Sequence, residues 1–254
     1  MEQVIAVKDL KKVYDRTQKT AVAGVSFEVE RGQCFGFIGP NGAGKSTTLE
    51  MLQGLKKPSA GSIELFGMPW QGNEKKLRRR IAGVLQENEM YARLKVVEAV
   101  RLFASFYPDY QAIDEVLEQF NLTPQRNNWL CELSGGQRQR VFLAMAVVGK
   151  PEIIFLDEPT TGLDPTSRQE FWEILNKLKA DGVTLILTSH YMDEVEFLCD
   201  TLAIIDKGTI IESGSPQDII HRTFAEPVIK EPRKATLNDV FLKLTGFDLS
   251  GGMA

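Results

Sequence analysis

The sequence lacks the features that would place the chain in a membrane by itself. Its N-terminus, MEQVIAVKDLKK, has no apolar core of the kind that a secretory signal needs. No uninterrupted apolar run approaches the roughly 18 residues that a membrane span requires. The longest candidate, Val141 to Val148, is stopped by Gly149, Lys150 and Pro151. We therefore expect a cytoplasmic protein that reaches a membrane only through a partner.

Cysteine is also scarce, and there is no excess of positive charge. The three cysteines, Cys34, Cys131 and Cys199, lie far apart and match no zinc or redox spacing, so we expect reduced thiols packed as small apolar residues. The 254 residues carry a formal net charge of −4. A general nucleic-acid binder usually has a clear basic excess, and we therefore expect no nucleic-acid partner.

What the sequence does have is a succession of short β-rich runs separated by helical patterns, which predicts a mostly parallel sheet covered by helices. Near-continuous apolar character indicates central strands that are buried on both faces. These are Cys34–Ile38, Ile153–Asp157, Thr184–Ser189 and Leu202–Asp206. The alternating runs Val25–Glu30 and Ser62–Phe66 predict half-exposed antiparallel strands. Between about Val96 and Val148 the pattern is helical, which predicts a helical subdomain inserted into the α/β core.

The segment GPNGAGKST, which we call the phosphate loop (Gly39–Thr47), fits the pattern G-x-x-x-x-G-K-[ST] between a predicted strand and a predicted helix. Its glycines let the backbone curl so that successive N–H groups converge on phosphate oxygens, and the helix adds its positive N-terminal end. Lys45 would neutralise the β- and γ-phosphates, and Ser46 would coordinate Mg²⁺. The predicted ATP-binding residues are Gly39, Pro40, Asn41, Gly42, Ala43, Gly44, Lys45, Ser46 and Thr47.

Two carboxylates, Asp157 and Glu158, follow the apolar strand IIFLD at its C-terminal end, where ligands collect in parallel sheets. Asp157 is predicted to hold Mg²⁺ directly or through water. Glu158 is predicted to polarise the attacking water as the general base. A pair of solvated loop carboxylates is the alternative, and the phosphate loop in the same chain disfavours it.

A third motif, LSGGQ, which we call the signature segment (Leu133–Gln137), predicts a helix start. Ser134 is a good N-cap for a helix over Gln137–Val148, and Gly135 and Gly136 leave its first amides uncovered. The result is an anion site with no phosphate-binding motif next to it. Together with the two preceding motifs, this segment makes the chain resemble the ATP-binding subunits of ABC transporters, from about Val4 to Gly214.

The resemblance implies a P-loop NTPase (RecA-like) core with a mostly parallel sheet, an N-terminal antiparallel β subdomain and an inserted helical subdomain. The ATPase domain would cover residues 1–220, with the helical subdomain at about 88–148. Residues 221–254 would form a short C-terminal extension. Within the extension, Ala225–Lys234 carries two prolines and predicts a linker, and Thr236–Gly246 predicts a short amphipathic helix.

The resemblance also assigns roles outside the phosphate loop. Gln86 takes the place of the Q-loop glutamine, which meets Mg²⁺ and the lytic water. His190 matches the switch histidine that contacts the γ-phosphate, and Tyr14 matches the aromatic that stacks on adenine. In such dimers the opposite subunit supplies the signature segment and the D-loop aspartate. Those residues would be Ser134, Gly135, Gly136, Gln137 and Asp164.

The function implied is that of a motor subunit. Two copies would sandwich two Mg-ATP molecules and drive a separate polytopic permease from the inner face of the membrane. Because every catalytic position is present, a homodimer is favoured. The stretch from Gln86 to Tyr107 and the tail TLNDVFLKLTG resemble exporter-type ATPases of drug, antibiotic or sodium efflux. One departure is Met145, where the family commonly carries arginine.

Two other classes of ABC ATPase remain as alternatives. A translation-associated ATPase would normally carry two cassettes in one chain, whereas here there is one phosphate loop. A chromosome or repair ATPase would insert a long coiled coil between phosphate loop and signature segment. Only 89 positions separate Lys45 from Ser134 (134 − 45), with no heptad run among them. A monomeric nucleotidase would leave the signature segment unexplained.

Overall fold

The computed structural model describes residues 2–14, 18–85, 90–224, 236–237, 240, 243–244, 247–248 and 252–253, and it consists of two compact units. Unit 1 comprises Met1–Gly72 and Ile186–Ala254, and unit 2 comprises Asn73–Leu185. The chain therefore leaves unit 1 after its first third and returns to it within a strand. Among the described residues, none of the helices has both the length and the apolar character needed to cross a membrane.

The elements are numbered in chain order. The strands are β1 (Gln3–Tyr14), β2 (Lys19–Glu30), β3 (Cys34–Ile38), β4 (Ala60–Leu65), β5 (Met68–Pro69), β6 (Ile81–Val84), β7 (Ile153–Asp157), β8 (Thr184–Ser189), β9 (Thr201–Asp206), β10 (Thr209–Gly214), β11 (Phe247–Asp248) and β12 (Gly252–Met253). The helices are α1 (Lys45–Leu52), α2 (Glu74–Arg78), α3 (Val96–Ala104), α4 (Ile113–Gln119), α5 (Gly135–Val147), α6 (Pro165–Ala180), α7 (Met192–Leu198) and α8 (Pro216–Thr223). Short 3₁₀ turns occupy Thr123–Gln125 and Leu130–Glu132.

Unit 1 contains an antiparallel sheet in the order β2-β1-β4-β5. On β2, Val25, Phe27 and Val29 are buried while the residues between them are exposed, so the alternation read from the sequence places one face on the core. Phe27 packs against two aromatic rings of β3, with centroids 5.2 Å from Phe35 and 5.1 Å from Phe37. This cluster attaches the antiparallel sheet to the strand that leads into the phosphate loop.

The central strands of unit 1 run in the order β10-β9-β3-β8. β3 and β9 are parallel, with Phe35 opposite Thr201 and Ile38 opposite Ile204, whereas β9 and β10 are antiparallel. Every residue of β3 is buried, as expected for a strand covered on both faces. The phosphate loop therefore begins at the C-terminal end of a rigid, buried strand.

Unit 2 contains a parallel pair, β6 and β7, in the register Ile81↔Ile153 to Val84↔Leu156. The predicted helical block is confirmed: residues 96–148 form α3, α4, α5 and the two 3₁₀ turns. In that part of the chain, which the structure describes throughout, the one β-type contact is the isolated bridge between Lys95 and Trp129. α5 buries the apolar stretch that the sequence stops at Gly149, which explains why that stretch is apolar without spanning a membrane.

Three central strands have the predicted bounds, and the fourth begins at Thr201, one residue before the prediction. The prediction that all three cysteines are packed is wrong for Cys131, which is exposed because it lies in a surface 3₁₀ turn. Cys34 and Cys199 are buried, with their Sγ atoms 3.8 Å apart. Burial raises the pKa of the Cys199 thiol well above its ordinary value, so this thiol is protonated and inert.

The C-terminal segment is partly outside the described residues, which include none of the predicted linker 225–234. α8 spans position 220, where the predicted ATPase domain ends. In the predicted terminal helix, the described residues Leu237, Val240, Lys243 and Leu244 are helical. Leu237 and Val240 are buried, and the Leu237 amide donates to Glu196 Oε1 on α7 at 2.5 Å. These residues therefore belong to the packed part of unit 1.

Candidate functional site

Two glycines of the phosphate loop, in unit 1, stand where close packing leaves no room for a side chain. A Cβ atom on Gly39 would lie 2.1 Å from the Ile205 carbonyl oxygen of β9, and one on Gly44 would lie 2.3 Å from the Ala21 carbonyl oxygen of β2. Gly42 differs, because it has φ +81° and a Cβ there would meet no atom within 4 Å. Gly39 and Gly44 therefore hold the loop against its own unit, and Gly42 supplies the left-handed turn.

Lys45 is buried although it carries a charge. Only 5% of the residue is exposed, and its Nζ donates to the carbonyl oxygens of Gly39 at 2.7 Å and Pro40 at 3.2 Å. Carbonyl dipoles stabilise a buried ammonium group only in part, whereas a phosphate would add full charge compensation. Ser46, by contrast, is exposed at the first turn of α1. The loop thus presents a cation and a hydroxyl in consecutive positions, which suits a magnesium phosphate group.

Tyr14, at the end of β1, is held beside the first turn of α1. Its hydroxyl and Thr47 Oγ1 share a hydrogen bond of 3.3 Å, and Lys56 Nζ donates to the same hydroxyl at 3.1 Å. The contact with Thr47, followed by that with Lys56, holds the pKa of the Tyr14 phenol below its ordinary value. Nζ of Lys12 and of Lys56 lie 5.6 Å and 5.4 Å from the ring centroid. The ring is therefore fixed near the phosphate loop, and its stacking on adenine stays a prediction.

His190 follows β8 in unit 1 and is half-buried. Its ring lies 4.1 Å, centroid to centroid, from that of Tyr191. Ser189 Oγ accepts a hydrogen bond from the Tyr191 amide at 3.0 Å, which fixes the turn between β8 and α7. The imidazole is thus carried by a short turn at the C-terminal end of a buried strand, the edge of a parallel sheet at which ligands collect.

The acidic pair of unit 2 lies at the end of β7. Asp157 is 8% exposed, and Glu158 has a backbone φ of +47°, in the left-handed region. Such a conformation costs a non-glycine residue about 1–3 kcal/mol. The Thr161 amide donates to the Glu158 carbonyl at 3.2 Å, and Thr161 Oγ1 donates to Glu158 Oε2 at 3.3 Å. The strained backbone and the contact with Thr161 together fix the orientation of the Glu158 carboxylate.

The signature segment starts α5, which begins at Gly135 rather than at the predicted Gln137. The predicted cap is confirmed: Ser134 Oγ accepts from the Gln137 amide at 3.2 Å, and Gln137 Oε1 accepts from the Ser134 amide at 3.0 Å. This reciprocal pair is a capping box. Ser134 and Gly135 are exposed while Gly136 is buried, so the start of a positive helix end faces outward from unit 2.

The D-loop, TGLDP (Thr161–Pro165), leads into α6, which also begins with a side-chain N-cap. Asp164 is the N-cap, and its Oδ1 and Oδ2 accept from the amide and hydroxyl of Ser167 at 3.0 Å and 2.6 Å. The Ser167 side chain, followed by its amide, lowers the pKa of the Asp164 carboxyl. Ser167 was not predicted from the sequence, although an aspartate three residues before a serine is a signal for a helix N-terminus.

Magnesium would have to be held by few protein atoms. Among the described residues there is no group of three or more histidine, cysteine, aspartate or glutamate side chains suited to a metal. Mg²⁺ in nucleotide sites usually takes one or two protein oxygens together with phosphates and water. Ser46 and Asp157 offer oxygens of this kind, in unit 1 and unit 2 respectively. The Q-loop position, Gln86, lies outside the described residues.

Comparison with known proteins decides the family. The sequence profile described as "ABC transporter" matches residues 22–161, more than half of the chain. This chain belongs to the ABC transporter family. Its sequence is 40% identical, over 85% of the chain and 68% of the relative, to the Nod factor export ATP-binding protein I of Ralstonia nicotianae. A profile described as "AAA domain, putative AbiEii toxin, Type IV TA system" also matches residues 129–194.

Solved structures agree with this assignment. One described as the ATP-binding subunit of an ABC transporter superposes with a TM-score of 0.82 at 31% identity, covering 95% of this chain and 99% of the other. Another, an ATP-binding cassette described as a dimer in a post-hydrolysis state bound to ADP and Pi, gives a TM-score of 0.75 at 27% identity over 83% and 98%. The predicted P-loop NTPase fold is confirmed. The chain is the ATP-binding and ATP-hydrolysing subunit of an ABC transporter.

Proposed function

We propose that two copies of this ABC subunit enclose two Mg-ATP molecules, each between the phosphate loop of one copy and the signature segment of the other. The observation that carries this proposal is the exposed start of α5, where Ser134 and Gly135 lie at the surface of unit 2 and the positive end of the helix faces outward. An exposed anion site of this kind suits the γ-phosphate of a nucleotide held by another copy. The solved cassette that is described as a dimer bound to ADP and Pi supports a dimeric state with bound nucleotide.

Within each pocket the roles divide as follows. Lys45 and the amides of the phosphate loop bind the phosphates, Tyr14 stacks on adenine, and Ser46 and Asp157 hold Mg²⁺ together with Gln86. When bound there, Mg²⁺ would supply positive charge against the phosphate oxygens. Glu158 accepts the proton of the attacking water, and His190 holds the γ-phosphate. The buried ammonium of Lys45 and the constrained backbone of Glu158 support these assignments.

Closure of the dimer around ATP provides the free energy that drives the motor. ATP contacts the signature segment only in the closed dimer, so it stabilises the closed state over the open one. Moving a two-state equilibrium from 1:99 to 99:1 needs about 5.5 kcal/mol of differential binding. Hydrolysis and phosphate release remove the bridge, and the dimer opens again. The opening and closing then drive a separate polytopic permease whose cytoplasmic face the two copies contact.

Export is the direction that we propose for transport. The relative from Ralstonia nicotianae is named for Nod factor export.

Exposed apolar side chains lie in the segment between Gln86 and Tyr107. Tyr91 is 83% exposed and Phe106 is 68% exposed, and Leu102 on α3 is also exposed. Large apolar side chains at the surface of a soluble unit suit contact with another protein. We propose that this segment receives a cytoplasmic helix of the permease.

Mixing two inactive variants tests the shared pocket. In a Lys45→Ala copy the phosphate loop fails, and in a Ser134→Phe copy the signature segment fails, so each variant alone should hydrolyse no ATP. A mixed dimer keeps one pocket in which Lys45 of one copy meets Ser134 of the other. An equal mixture of monomers should therefore recover about a quarter of the wild-type ATPase rate, because half of the dimers are mixed and each has one intact pocket of two.

The matched control mixes Lys45→Ala with Ser46→Ala. Both changes damage the phosphate loop, so each pocket of a mixed dimer contains one damaged loop and no activity should return. Activity that fails to return in the first mixture, or returns equally in both, would contradict a pocket shared between copies.

Recovery from cell membranes tests the partner. A tagged chain extracted under mild detergent should bring down a polytopic membrane protein, and Tyr91→Ser together with Phe106→Ser should reduce that recovery because the change removes exposed apolar surface. The same double variant should keep its basal ATPase rate in solution. Recovery of ribosomes or DNA in place of a membrane protein would refute the transport role and favour the translation or repair alternatives.

A further inference from the structure

We propose that Ser167 is a positioning residue that locks the start of the signature helix α5 to the D-loop, so that both elements enter the dimer interface as one rigid piece. The proposal rests on the shared pocket proposed above. It concerns contacts within unit 2, and it explains why the second glycine of the signature segment has no room for a side chain.

The first contact joins Ser167 to Gly136. A Cβ atom on Gly136 would lie 2.5 Å from Ser167 Oγ and 2.6 Å from Ser167 Cβ. Real Cβ atoms do not approach other atoms this closely, so the serine side chain occupies the place of the missing one. Gly135 differs, because a Cβ there would meet Leu163 at an ordinary distance of 3.8 Å. The close packing is therefore specific to Gly136.

The second contact joins Ser167 to Asp164. The serine hydroxyl donates to Asp164 Oδ2 at 2.6 Å, and its amide donates to Oδ1 at 3.0 Å. Both carboxylate oxygens of the D-loop aspartate are thus held by the residue that packs on Gly136. A displacement of the signature segment would push Ser167 and turn the Asp164 carboxylate with it. Ser167 connects two elements that the family places across the dimer interface.

A third contact fixes the same two helices about one turn further along. Arg140 Nη1 on α5 and Glu170 Oε2 on α6 lie 2.5 Å apart. The glutamate is half-exposed, so water weakens this ion pair and it contributes little energy by itself. Its position matters more, because a second contact one turn away from the first adds to the restriction on rotation of one helix against the other.

Rigidity at this point has a functional consequence. The amides at the start of α5 must meet a γ-phosphate, and binding groups work well only when they are held within a fraction of an ångström of the productive geometry. A glycine is the poorest helix former after proline, so Gly136 weakens the helix that carries the site. Glycine stands here because Ser167 occupies the space that a Cβ atom would need, and Ser167 in turn fixes Asp164.

The test uses ATP-driven dimerisation in a Glu158→Gln parent, with the ATP concentration for half-maximal dimer as the readout. Adding Gly136→Ala should raise that concentration about tenfold or more, because the new methyl displaces Ser167. ATP binding by dilute monomer should not change, since the phosphate loop is untouched. Adding Ser167→Gly as well removes both clashing atoms and should bring the concentration back to within about threefold of the parent.

The control is Gly136→Ala with Asp218→Gly. Asp218 stands at the third position of α8, behind a proline and a serine cap, as Ser167 does behind Pro165 and Asp164 in α6. Asp218→Gly therefore places a glycine at the same position of a helix without changing the contact with Gly136. It should not lower the ATP concentration that the Gly136→Ala variant needs for dimerisation. Separately, Ser167→Ala keeps the packing atom but removes the hydroxyl, and it should raise the ATP requirement about threefold with little change in melting temperature.

The outcomes separate the two proposals. If the Glu158→Gln parent does not dimerise with ATP, the shared pocket fails and this inference fails with it. If the parent dimerises but the double variant is no better than Gly136→Ala, the inference is overturned while the shared pocket stands. Should Gly136→Ala not fold, the Ser167→Ala variant decides, and unchanged dimerisation there would also overturn the inference.

Discussion

Replacing Glu158 by glutamine is expected to lower kcat for ATP hydrolysis by about 100-fold or more while ATP binding is retained. The amide has the same size as the carboxylate but cannot accept the proton of the attacking water, and general-base catalysis contributes about 10²–10⁴-fold. Glutamine can occupy the left-handed backbone conformation at φ +47° at a cost similar to that of glutamate. Phosphate release measures the rate, and titration with ATP measures the affinity.

The same variant should accumulate as a dimer when ATP and Mg²⁺ are present. The two bound nucleotides keep the pockets closed because the bridge between phosphate loop and signature segment is not removed. A sizing column should show a monomer without nucleotide and a dimer with it. Glu173→Gln, an exposed position on α6, is the matched control and should retain the wild-type rate. A monomeric Glu158→Gln protein at saturating ATP, or an undiminished kcat, would refute the assignment.

Replacing Lys45 by alanine is expected to weaken ATP binding by about 50–100-fold. The ammonium group is buried and donates to the carbonyl oxygens of Gly39 and Pro40, and it stands in the phosphate loop, where a phosphate would add a full negative charge beside it. Charge-assisted hydrogen bonds contribute roughly 1.5–3 kcal/mol, and about 2.7 kcal/mol corresponds to 100-fold in affinity. Calorimetric titration with ATP in the presence of EDTA, and again with Mg²⁺, measures the loss.

Stability separates this binding defect from misfolding. Without nucleotide, Lys45→Ala should melt close to the wild type, because the lost bonds to two carbonyls are offset by the removal of a buried charge. With ATP, the wild type gains stability as RT ln(1 + [ATP]/Kd), and the variant should lose nearly all of that gain. Lys57→Ala, an exposed lysine that changes the net charge equally, should keep it. Wild-type affinity in Lys45→Ala would contradict the role of this residue.

The parts of the fold that could be predicted from the sequence are those whose burial is uniform. β3, β7 and β8 are buried throughout and mostly apolar because both of their faces are covered, and this composition makes them recognisable in the sequence. β6 was missed, since a four-residue strand with a glycine has no readable period. β1 was missed because its register shifts, between Val7 and Leu10 for example, interrupt the alternation.

In the candidate site, features that are local in sequence could be predicted, and contacts between distant residues could not. Local features such as the cap formed by Ser134 could be predicted, because cap and helix are neighbours in sequence. The contact between Gly136 and Ser167 could not, since it depends on how α5 packs on α6 across 31 positions (167 − 136). The roles of Gln86, His190 and Tyr14 are predictions from the resemblance, and no packing rule would have selected them.

The phosphate loop is completed late in synthesis. Its first residue, Gly39, rests on the Ile205 carbonyl of β9, and β9 pairs with β3 although the whole of unit 2 separates them in the chain. A ribosome that adds about 5–20 residues per second needs roughly 10–30 s to pass from one to the other. During that interval the nascent loop lacks the strand on which Gly39 rests, so the phosphate site cannot be complete before β9 has been made.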